Sequence, residues 1–291
     1  MTLKDKNLYY IGGVVRDEIL GTTSFDTDFC YEGNAIEYAE SKGLNIIKKN
    51  PDFGTVRILF NGKEIDIAST REEDYPRNGH LPVVKNIGCA LSSDLKRRDF
   101  TINAMAKNTV TEEITDLFGG LDDIKSRKLR ILHKKSFIDD PSRILRGLKF
   151  SVRFNFELED ETKRLQEEYL NNINYDMSYH RIKKELYETF NLNIGKAYDI
   201  FVNDNIYKLL SPTCKPIKIN GEIISNAVSE TNTENPFIIY YAFLNIKDSP
   251  IELTRQEKRI LEWAEKLKTQ QAGNNTPKES ILIDKLRREF L

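Results

Sequence analysis

Two aspartates separated by one residue are the first candidates for chemistry in this sequence. Asp26 and Asp28 lie in the segment FDTDFCY, where apolar residues alternate with them. In a β-strand, alternate side chains share a face, so the two carboxylates would repel each other unless a cation lay between them. Mg²⁺ is the ion that best suits oxygen ligands together with phosphate groups. An Asp-x-Asp pair alone is more often a solvated strand face, so its neighbours in the chain decide the interpretation.

A glycine pair precedes the aspartates at a predicted turn. Gly12 and Gly13 follow an apolar run, Leu8 to Ile11, that is typical of a short strand, and the residues after them have helical spacing. Backbone N–H groups at such a turn can approach an anion closely, and Arg16 adds a positive charge. A glycine pair alone is most often only a turn. In this order with the aspartates, it predicts a phosphate-binding turn.

A third carboxylate lies on a predicted strand further along the chain. The segments LNIIKK, TVRILF and EIDIAST indicate successive strands, and the Asn-Gly pair between the last two favours a hairpin turn. Asp66 stands between two isoleucines, on the face opposite the apolar one. It could join Asp26 and Asp28 if the strands are neighbours in the sheet.

Two clusters of charged residues follow. DLKRRDFTINAMA, residues 94–106, places Arg97, Arg98 and Asp99 before a predicted amphipathic helix. FIDDPSRILRGLKF, residues 137–150, begins another helix, where Pro141 suits the first turn. Its charged residues are Asp139, together with four that share one helix face at spacings of three: Asp140, Arg143, Arg146 and Lys149. A salt-bridged surface is the simpler explanation for that helix alone, whereas the surplus of Lys and Arg around both segments favours a phosphate backbone as partner.

The composition limits the class of protein. The chain has 291 residues, enough for two or more domains, with 39% hydrophobic and 31% charged residues and a net charge of -1. No apolar run approaches the length of a membrane span and no signal-peptide pattern begins the chain, so we expect a soluble cytoplasmic protein. Cys30, Cys89 and Cys214 are few and widely spaced, which predicts neither a disulfide framework nor a zinc site.

The order of predicted elements indicates an α+β protein. The first part alternates strand and helix patterns, which predicts a small mixed β-sheet with helices packed against it. From about Ser136 the apolar spacing becomes helical. Loops are predicted around residues 211–222 and 229–236, and a linker precedes a short terminal helix.

Six ordered segments resemble the motifs of class II tRNA nucleotidyltransferases, the CCA-adding enzymes and their bacterial poly(A) polymerase relatives. They are GGVVRDEILG, DTD, EIDIASTREEDY, SDLKRRDFTINAMA, DLFGGLDDI and LHKKSFIDDPSRILRGLKFSVRF. The likeness covers residues 8 to 190, about two thirds of the chain. It implies a nucleotidyltransferase head over residues 1–135, a helical neck for the base and RNA over 136–190, and a shortened helical body with a short tail over 191–291.

The resemblance implies roles in the head for each matching residue. Asp26 and Asp28 would hold the catalytic Mg²⁺ ions, and Asp66 would be a third catalytic carboxylate. Five more residues would contact the triphosphate or ribose of the incoming nucleotide: Gly12, Gly13, Arg16, Arg98 and Asp99. Gly119 and Gly120 would form a hinge between head and neck.

In the neck, the resemblance implies recognition of the nucleotide base. Asp140 and Arg143 would read the base, and Arg146 would support the phosphates or this base-reading pair. Lys149 stands where some relatives have arginine, and Asp139 replaces the glutamate that is commoner in the family. This substitution shortens the side chain by one methylene and should be tolerated.

The implied activity is addition of C, C and A to the 3' end of tRNA from CTP and ATP, without a template. Enzymes that add only CC, only A, or a poly(A) tail are close alternatives, and STREEDYPRNGHLPVVKN lies where such enzymes differ in a flexible loop. A non-catalytic RNA-binding relative is a rival from another class, and a transferase for small molecules or protein hydroxyls is a second enzymatic rival. The early end of the chain predicts contacts limited to the upper half of tRNA. Oligomeric state is left open.

Overall fold

The computed structural model describes residues 3–23, 28–246 and 249–290. Within these ranges the chain forms two compact units. Unit 1 contains the residues up to Asp139 together with Glu157–Thr162, and unit 2 contains Asp140–Phe156 together with the residues from Lys163 onward. The chain therefore leaves unit 1, returns to it for one short segment, and leaves it again.

Strands dominate unit 1. In chain order they are β1 (Leu8–Ile11), β2 (Asp28–Tyr31), β3 (Asn45–Asn50), β4 (Thr55–Phe60), β5 (Lys63–Ser69), β6 (Arg71–Asp74), β7 (Val83–Ile87), β8 (Met105–Asn108), β9 (Ile114–Asp116), β10 (Lys128–Leu129) and β11 (Glu157–Leu158). Within the described ranges, seven of these strands form one sheet in the order β3-β4-β5-β2-β1-β8-β9. Strand β6 pairs with β7, and β10 pairs with β11.

The main sheet is mixed, as the sequence predicts. Its β2–β5 pair is parallel, and its other pairs are antiparallel. The predicted hairpin between β4 and β5 is present: Asn61 and Gly62 have φ angles of 51° and 76°, the left-handed values that a two-residue turn of this kind requires.

Helices cover both faces of this sheet. The helices of unit 1 within the described ranges are α1 (Gly13–Ile19), α2 (Ala35–Ser41), α3 (Leu91–Lys96), α4 (Gly120–Ser126) and α5 (Ser136–Asp139). Asn34 caps the start of helix α2, where its side chain accepts hydrogen bonds from two backbone N–H groups. It packs on a core that includes Phe29, Val56 and Ile67, whereas α3 joins a second core with Cys30.

The prediction of an amphipathic helix after Asp99 is wrong. Helix α3 precedes that residue, a 3-10 turn spans Thr101–Asn103, and the chain then enters strand β8. The apolar residues Ile102 and Met105 are both fully buried, and β8 pairs with β1 in the sheet. Tertiary pairing thus overrides the helical preference of the segment.

Unit 2 is helical. Its helices are α6 (Ser142–Phe154), α7 (Asp160–Asn171, whose first residues belong to unit 1), α8 (Tyr179–Phe190), α9 (Gly195–Asn203), α10 (Gly221–Thr231), α11 (Pro236–Ala242), α12 (Arg255–Lys266) and α13 (Lys278–Phe290). Phe190 and Tyr240 stack with ring centroids 4.9 Å apart in its core. Helix α10 occupies part of both predicted loops. Across the described ranges, none of the helices has the length and apolar character of a membrane span. The α+β class is confirmed.

Helices α9 and α10 meet at their first residues. Gly195 and Gly221 lie so close that a Cβ atom on either would overlap the backbone of the other. The N–H group of Gly221 also donates to Oδ1 of Asp199, at 2.8 Å. Only two glycines fit this crossing.

Replacing Gly195 with alanine is expected to lower the free energy of unfolding by about 2 kcal/mol, because the added methyl group forces the two helices apart. Gly273→Ala is the matched control, since a Cβ there meets nothing within 4 Å. Urea unfolding of both variants measures the difference, and equal stability would show that the crossing relaxes freely.

Candidate functional site

Two of the three predicted carboxylates lie on neighbouring strands. Asp28 begins β2 and stands in register with Asp66 on the parallel strand β5. Both residues are exposed. The adjacency on which the role of Asp66 depends is therefore present. Asp26 lies outside the described residues.

Asp66 already has a cationic partner. Arg57 stands opposite it on β4, and its Nε and Nη2 atoms lie 2.8 and 2.7 Å from the two carboxylate oxygens. The pairing is bidentate, which is the strongest geometry between these two groups. A third nitrogen of Arg57 lies 3.5 Å from Glu64.

The glycine turn is shaped around Arg98. Gly12 has a φ of 67°, and a Cβ atom there would lie 2.7 Å from Nη1 of Arg98. The same nitrogen lies 3.4 Å from the carbonyl oxygen of Asn103. Two separate predicted motifs, the glycine pair and the Arg-Arg-Asp segment, are thus brought into contact, and glycine is needed at position 12 for both its backbone angle and its size.

Arg16 and Asp99 are buried close to this turn. Arg16 binds Oδ1 of Asp17 through two nitrogens, at 2.8 and 2.7 Å, and its third nitrogen donates to the side chain of Asn103. Asn103 in turn donates to Oδ1 of Asp99 at 3.0 Å, and the same oxygen accepts the N–H group of Phe100 at 2.8 Å. These hydrogen bonds between buried side chains hold the glycine turn in its conformation.

Sequence reasoning missed the acidic residue that organises the arginines. Asp94 is fully buried, and its two oxygens lie 2.7 Å from Arg97 and 3.1 Å from Arg98. Burial by itself would raise the pKa of Asp94, but the charges of Arg98 and Arg97 outweigh it and hold the pKa below its usual value. Its spacing of three and four residues from the arginines was the available signal. Glu73 adds a second carboxylate, 2.9 Å from Arg97.

Asp94→Asn is expected to lower the free energy of unfolding at pH 7 by about 3 kcal/mol, because it removes the buried carboxylate that pairs with both Arg97 and Arg98. A depressed pKa stabilises the fold above the unfolded value of about 3.9, and this stabilisation is lost as the pH falls through the folded pKa. The mutant should therefore lose less stability than wild type between pH 5 and pH 3. These two pH values lie about one unit above and below the unfolded pKa of the aspartate. Urea unfolding at several pH values measures this, with exposed Asp122→Asn as control.

Unit 2 contains Asp140 and its neighbours in the second predicted cluster of charged residues. Oδ1 of Asp140 accepts from the N–H and hydroxyl groups of Ser142, at 3.1 and 2.6 Å. Its Oδ2 contacts Arg181 and lies 3.8 Å from Nε of Arg143. Asp140 and Arg143 are both buried. The sequence placed these two together, but Arg181 from helix α8 was not foreseen.

The next residues on the same helix face meet acidic partners. Nζ of Lys149 lies 2.6 Å from both Glu185 and Glu188, and Arg146 lies 3.3 Å from Glu185. Partial burial would raise the pKa of Glu188, but the hydrogen bond and charge of Lys149 lower it. Helices α6 and α8 are thus joined by ion pairs along this face.

The remaining predicted residues lie inside unit 1. Gly119 and Gly120 begin helix α4, where Gly120 packs against the carbonyl oxygen of Thr101, well before the unit boundary. Asp139 ends α5, and its carboxylate lies 3.9 Å from Nδ1 of His133. Its carbonyl oxygen accepts the N–H group of Gly79 at 3.0 Å.

The residues that are described fit a hard divalent cation. Asp28 offers carboxylate oxygens at an exposed position, as a hard cation prefers, whereas the oxygens of its neighbour Asp66 contact Arg57. Within the described ranges, no cluster of three or more acidic, cysteine or histidine side chains is arranged to hold a metal ion.

Comparison with known proteins matches the first part of the chain to a known domain and to a relative of known name. Residues 8–130 match the family model of the poly A polymerase head domain. An A-adding tRNA nucleotidyltransferase from Aquifex aeolicus is 45% identical over 170 residues, which are 56% of this chain and 20% of that protein. The chain thus spans 20% of the length of this relative.

Solved structures extend the likeness to both units. An apo CCA-adding enzyme matches 97% of this chain and 78% of its own, with a TM-score of 0.78 and 25% identity. A Thermotoga maritima CCA-adding enzyme in complex with tRNA matches 97% of this chain and 77% of its own, with a TM-score of 0.69 and 25% identity. The fold is therefore that of the CCA-adding enzymes. The resemblance indicated by the sequence motifs is confirmed by the match of residues 8–130 to the poly A polymerase head domain model and by these structures.

Proposed function

We propose that this chain is a Mg²⁺-dependent nucleotidyltransferase that adds C, C and A to the 3' end of tRNA, with CTP and ATP as substrates. The observation that carries the proposal is the exposed Asp28, in register with Asp66, within the segment that matches the poly A polymerase head domain. The similarity to a CCA-adding enzyme in complex with tRNA supports tRNA as the partner. In this proposal residues 1–135 form the catalytic head, 136–190 the neck and 191–291 the body.

The head holds the metal and the triphosphate. Asp26 and Asp28 would hold the metal ions, and a bound divalent metal would supply stabilisation of negative charge on the attacking and leaving oxygens. Arg98 binds a phosphate of the incoming nucleotide beside Gly12 and Gly13, a role that its partial exposure permits. Arg16 is buried, so it acts mainly by holding the turn in the shape that receives the phosphates.

The neck reads the base. Asp140 and Arg143 form a carboxylate–guanidinium pair whose hydrogen-bonding edge suits cytosine and adenine. The ion pairs of Arg146 and Lys149 with helix α8 fix helix α6, which carries Arg143 and begins just after Asp140. Asp99, which the resemblance places at the ribose and phosphates, acts through Asn103, since Asn103 binds Asp99 with its side chain and Arg98 with its carbonyl oxygen.

Addition of A alone is the second candidate, favoured by 45% identity to an A-adding enzyme. Two tRNA substrates separate the candidates: one that lacks its last three nucleotides and one that lacks only the terminal A. Each labelled nucleotide is offered alone and then all together, and the products are sequenced. Addition of complete CCA to the first substrate supports the proposal. Incorporation of ATP on the second substrate, without any incorporation on the first, supports addition of A alone. No incorporation on either substrate would overturn both.

A further inference from the structure

A row of four charged residues crosses the main sheet. Lys48 on β3 pairs in register with Arg57 on β4, Arg57 with Asp66 on β5, and Asp66 with Asp28 on β2. All four are exposed. Two cations and two carboxylates thus follow each other across neighbouring strands, with the proposed metal ligand at one end.

The central pair of this row has a geometry that bears on metal binding. Arg57 contacts both oxygens of Asp66, at 2.8 and 2.7 Å, so the carboxylate has no oxygen outside this interaction. Exposed ion pairs contribute little to folding, so stability alone does not explain the arrangement. Its position beside Asp28 offers a different explanation.

A divalent ion and a guanidinium compete for the same carboxylate. Both need the oxygen lone pairs of Asp66, and the fixed positive charge of Arg57 disfavours a second cation at that carboxylate. Without Arg57, two negative charges on adjacent strands would repel each other and attract a cation jointly. Glu64, also on β5, lies 3.5 Å from Arg57, which is farther than the 2.7 and 2.8 Å of the contacts with Asp66.

We propose that Arg57 is a positioning residue that keeps Asp66 out of the metal-ligand set and so weakens divalent-ion binding at Asp28. The inference rests on the proposed function, because it takes Asp28 as a metal ligand. Arg57 acts through Asp66 and need not touch the substrate. Its effect is to keep the affinity for the metal low before the nucleotide, which brings its own phosphate ligands, is bound.

Binding of Mn²⁺ to the protein without nucleotide or RNA tests the proposal. Electron paramagnetic resonance of free Mn²⁺ gives the dissociation constant directly, independent of catalysis. Arg57→Ala should bind Mn²⁺ at least about fivefold more tightly than wild type, the lower end of typical couplings between two bound groups. Asp66→Asn alone should change the constant little. The double variant Arg57→Ala/Asp66→Asn should lose the gain, because Asp66 supplies it.

Each other outcome overturns the proposal. Unchanged, weaker or undetectable binding by Arg57→Ala would show that Arg57 does not compete with the metal. A gain that persists in the double variant would show a general charge effect without a role for Asp66. Lys128→Ala, which removes an exposed cation paired with Glu157 in unit 1, is the control for charge. Asp28→Asn tests the proposed function separately: normal Mn²⁺ binding by that variant would exclude Asp28 as a ligand. Circular dichroism confirms that each variant is folded.

Discussion

Replacing Asp28 with alanine is expected to abolish nucleotide incorporation while leaving tRNA binding nearly intact. The reason is that Asp28 is an exposed carboxylate at the start of β2, where it can hold a metal ion but makes no contribution to a buried core. Metal ions contribute several kcal/mol to the stabilisation of such a transition state, so a loss of at least about a thousandfold in rate is expected.

Two measurements separate this effect from unfolding and from lost RNA contacts. Single-turnover incorporation gives the chemical rate, and a filter-binding or fluorescence assay gives the affinity for tRNA. Asp122→Ala removes another exposed carboxylate of unit 1 and should match wild type in both assays. Near wild-type incorporation by Asp28→Ala in Mg²⁺ would remove Asp28 from the metal site.

Changes at Asp140 and Arg143 are expected to alter which nucleotide is chosen. Cytosine and adenine each present an amino donor beside a ring-nitrogen acceptor, so one carboxylate and one guanidinium can serve both bases. Uracil and guanine reverse this order and would leave buried polar groups unsatisfied. Sites built on hydrogen bonds reject wrong partners by large factors, so loss of either side chain should relax selectivity by about a hundredfold or more.

Relative incorporation of all four nucleotides by Asp140→Ala and Arg143→Ala measures this selectivity. Both residues are buried, and removal of Asp140 also breaks its ion pair with Arg181, so a loss of about 3 kcal/mol in stability is expected as well. Asp140→Asn preserves the volume and should admit UTP or GTP with a smaller loss of stability. Arg164→Ala breaks the exposed pair with Glu168 in helix α7 and serves as control. Unchanged base preference in the variants at both positions would leave only a structural role for this pair.

Local patterns in the sequence were sufficient for most elements. The segment 142–154 is a helix as its apolar spacing predicts, and the Asn61–Gly62 turn follows from local backbone preference. The segment after Asp99 was mispredicted because its residues are buried in a sheet and turn, where neither a period of two nor a period of 3.6 shows clearly.

Contacts between segments far apart in the chain could not be predicted from local sequence patterns. The order of strands decides whether Asp66 lies beside Asp28, and no local pattern specifies that order. Likewise Arg57 and Asp66 lie nine residues apart on a hairpin, but either could have paired with other charges on the same face. The partner of Asp140 from helix α8, Arg181, depends on how two helices pack and has no signal of its own in either helix.

The return of the chain to unit 1 at Glu157–Thr162 determines where the protein can be cut. Strand β11 pairs with β10, Arg130 contacts Glu159, and the hydroxyl of Thr162 accepts the N–H group of Ile131 at 3.2 Å. A fragment that stops at Asp139 would lack all three interactions. A fragment extended to Thr162 would keep them but would carry α6, separated from the helices it packs against. We therefore expect neither unit to be obtained as an autonomous folding piece by a single cut, and protease nicking between them to destabilise both.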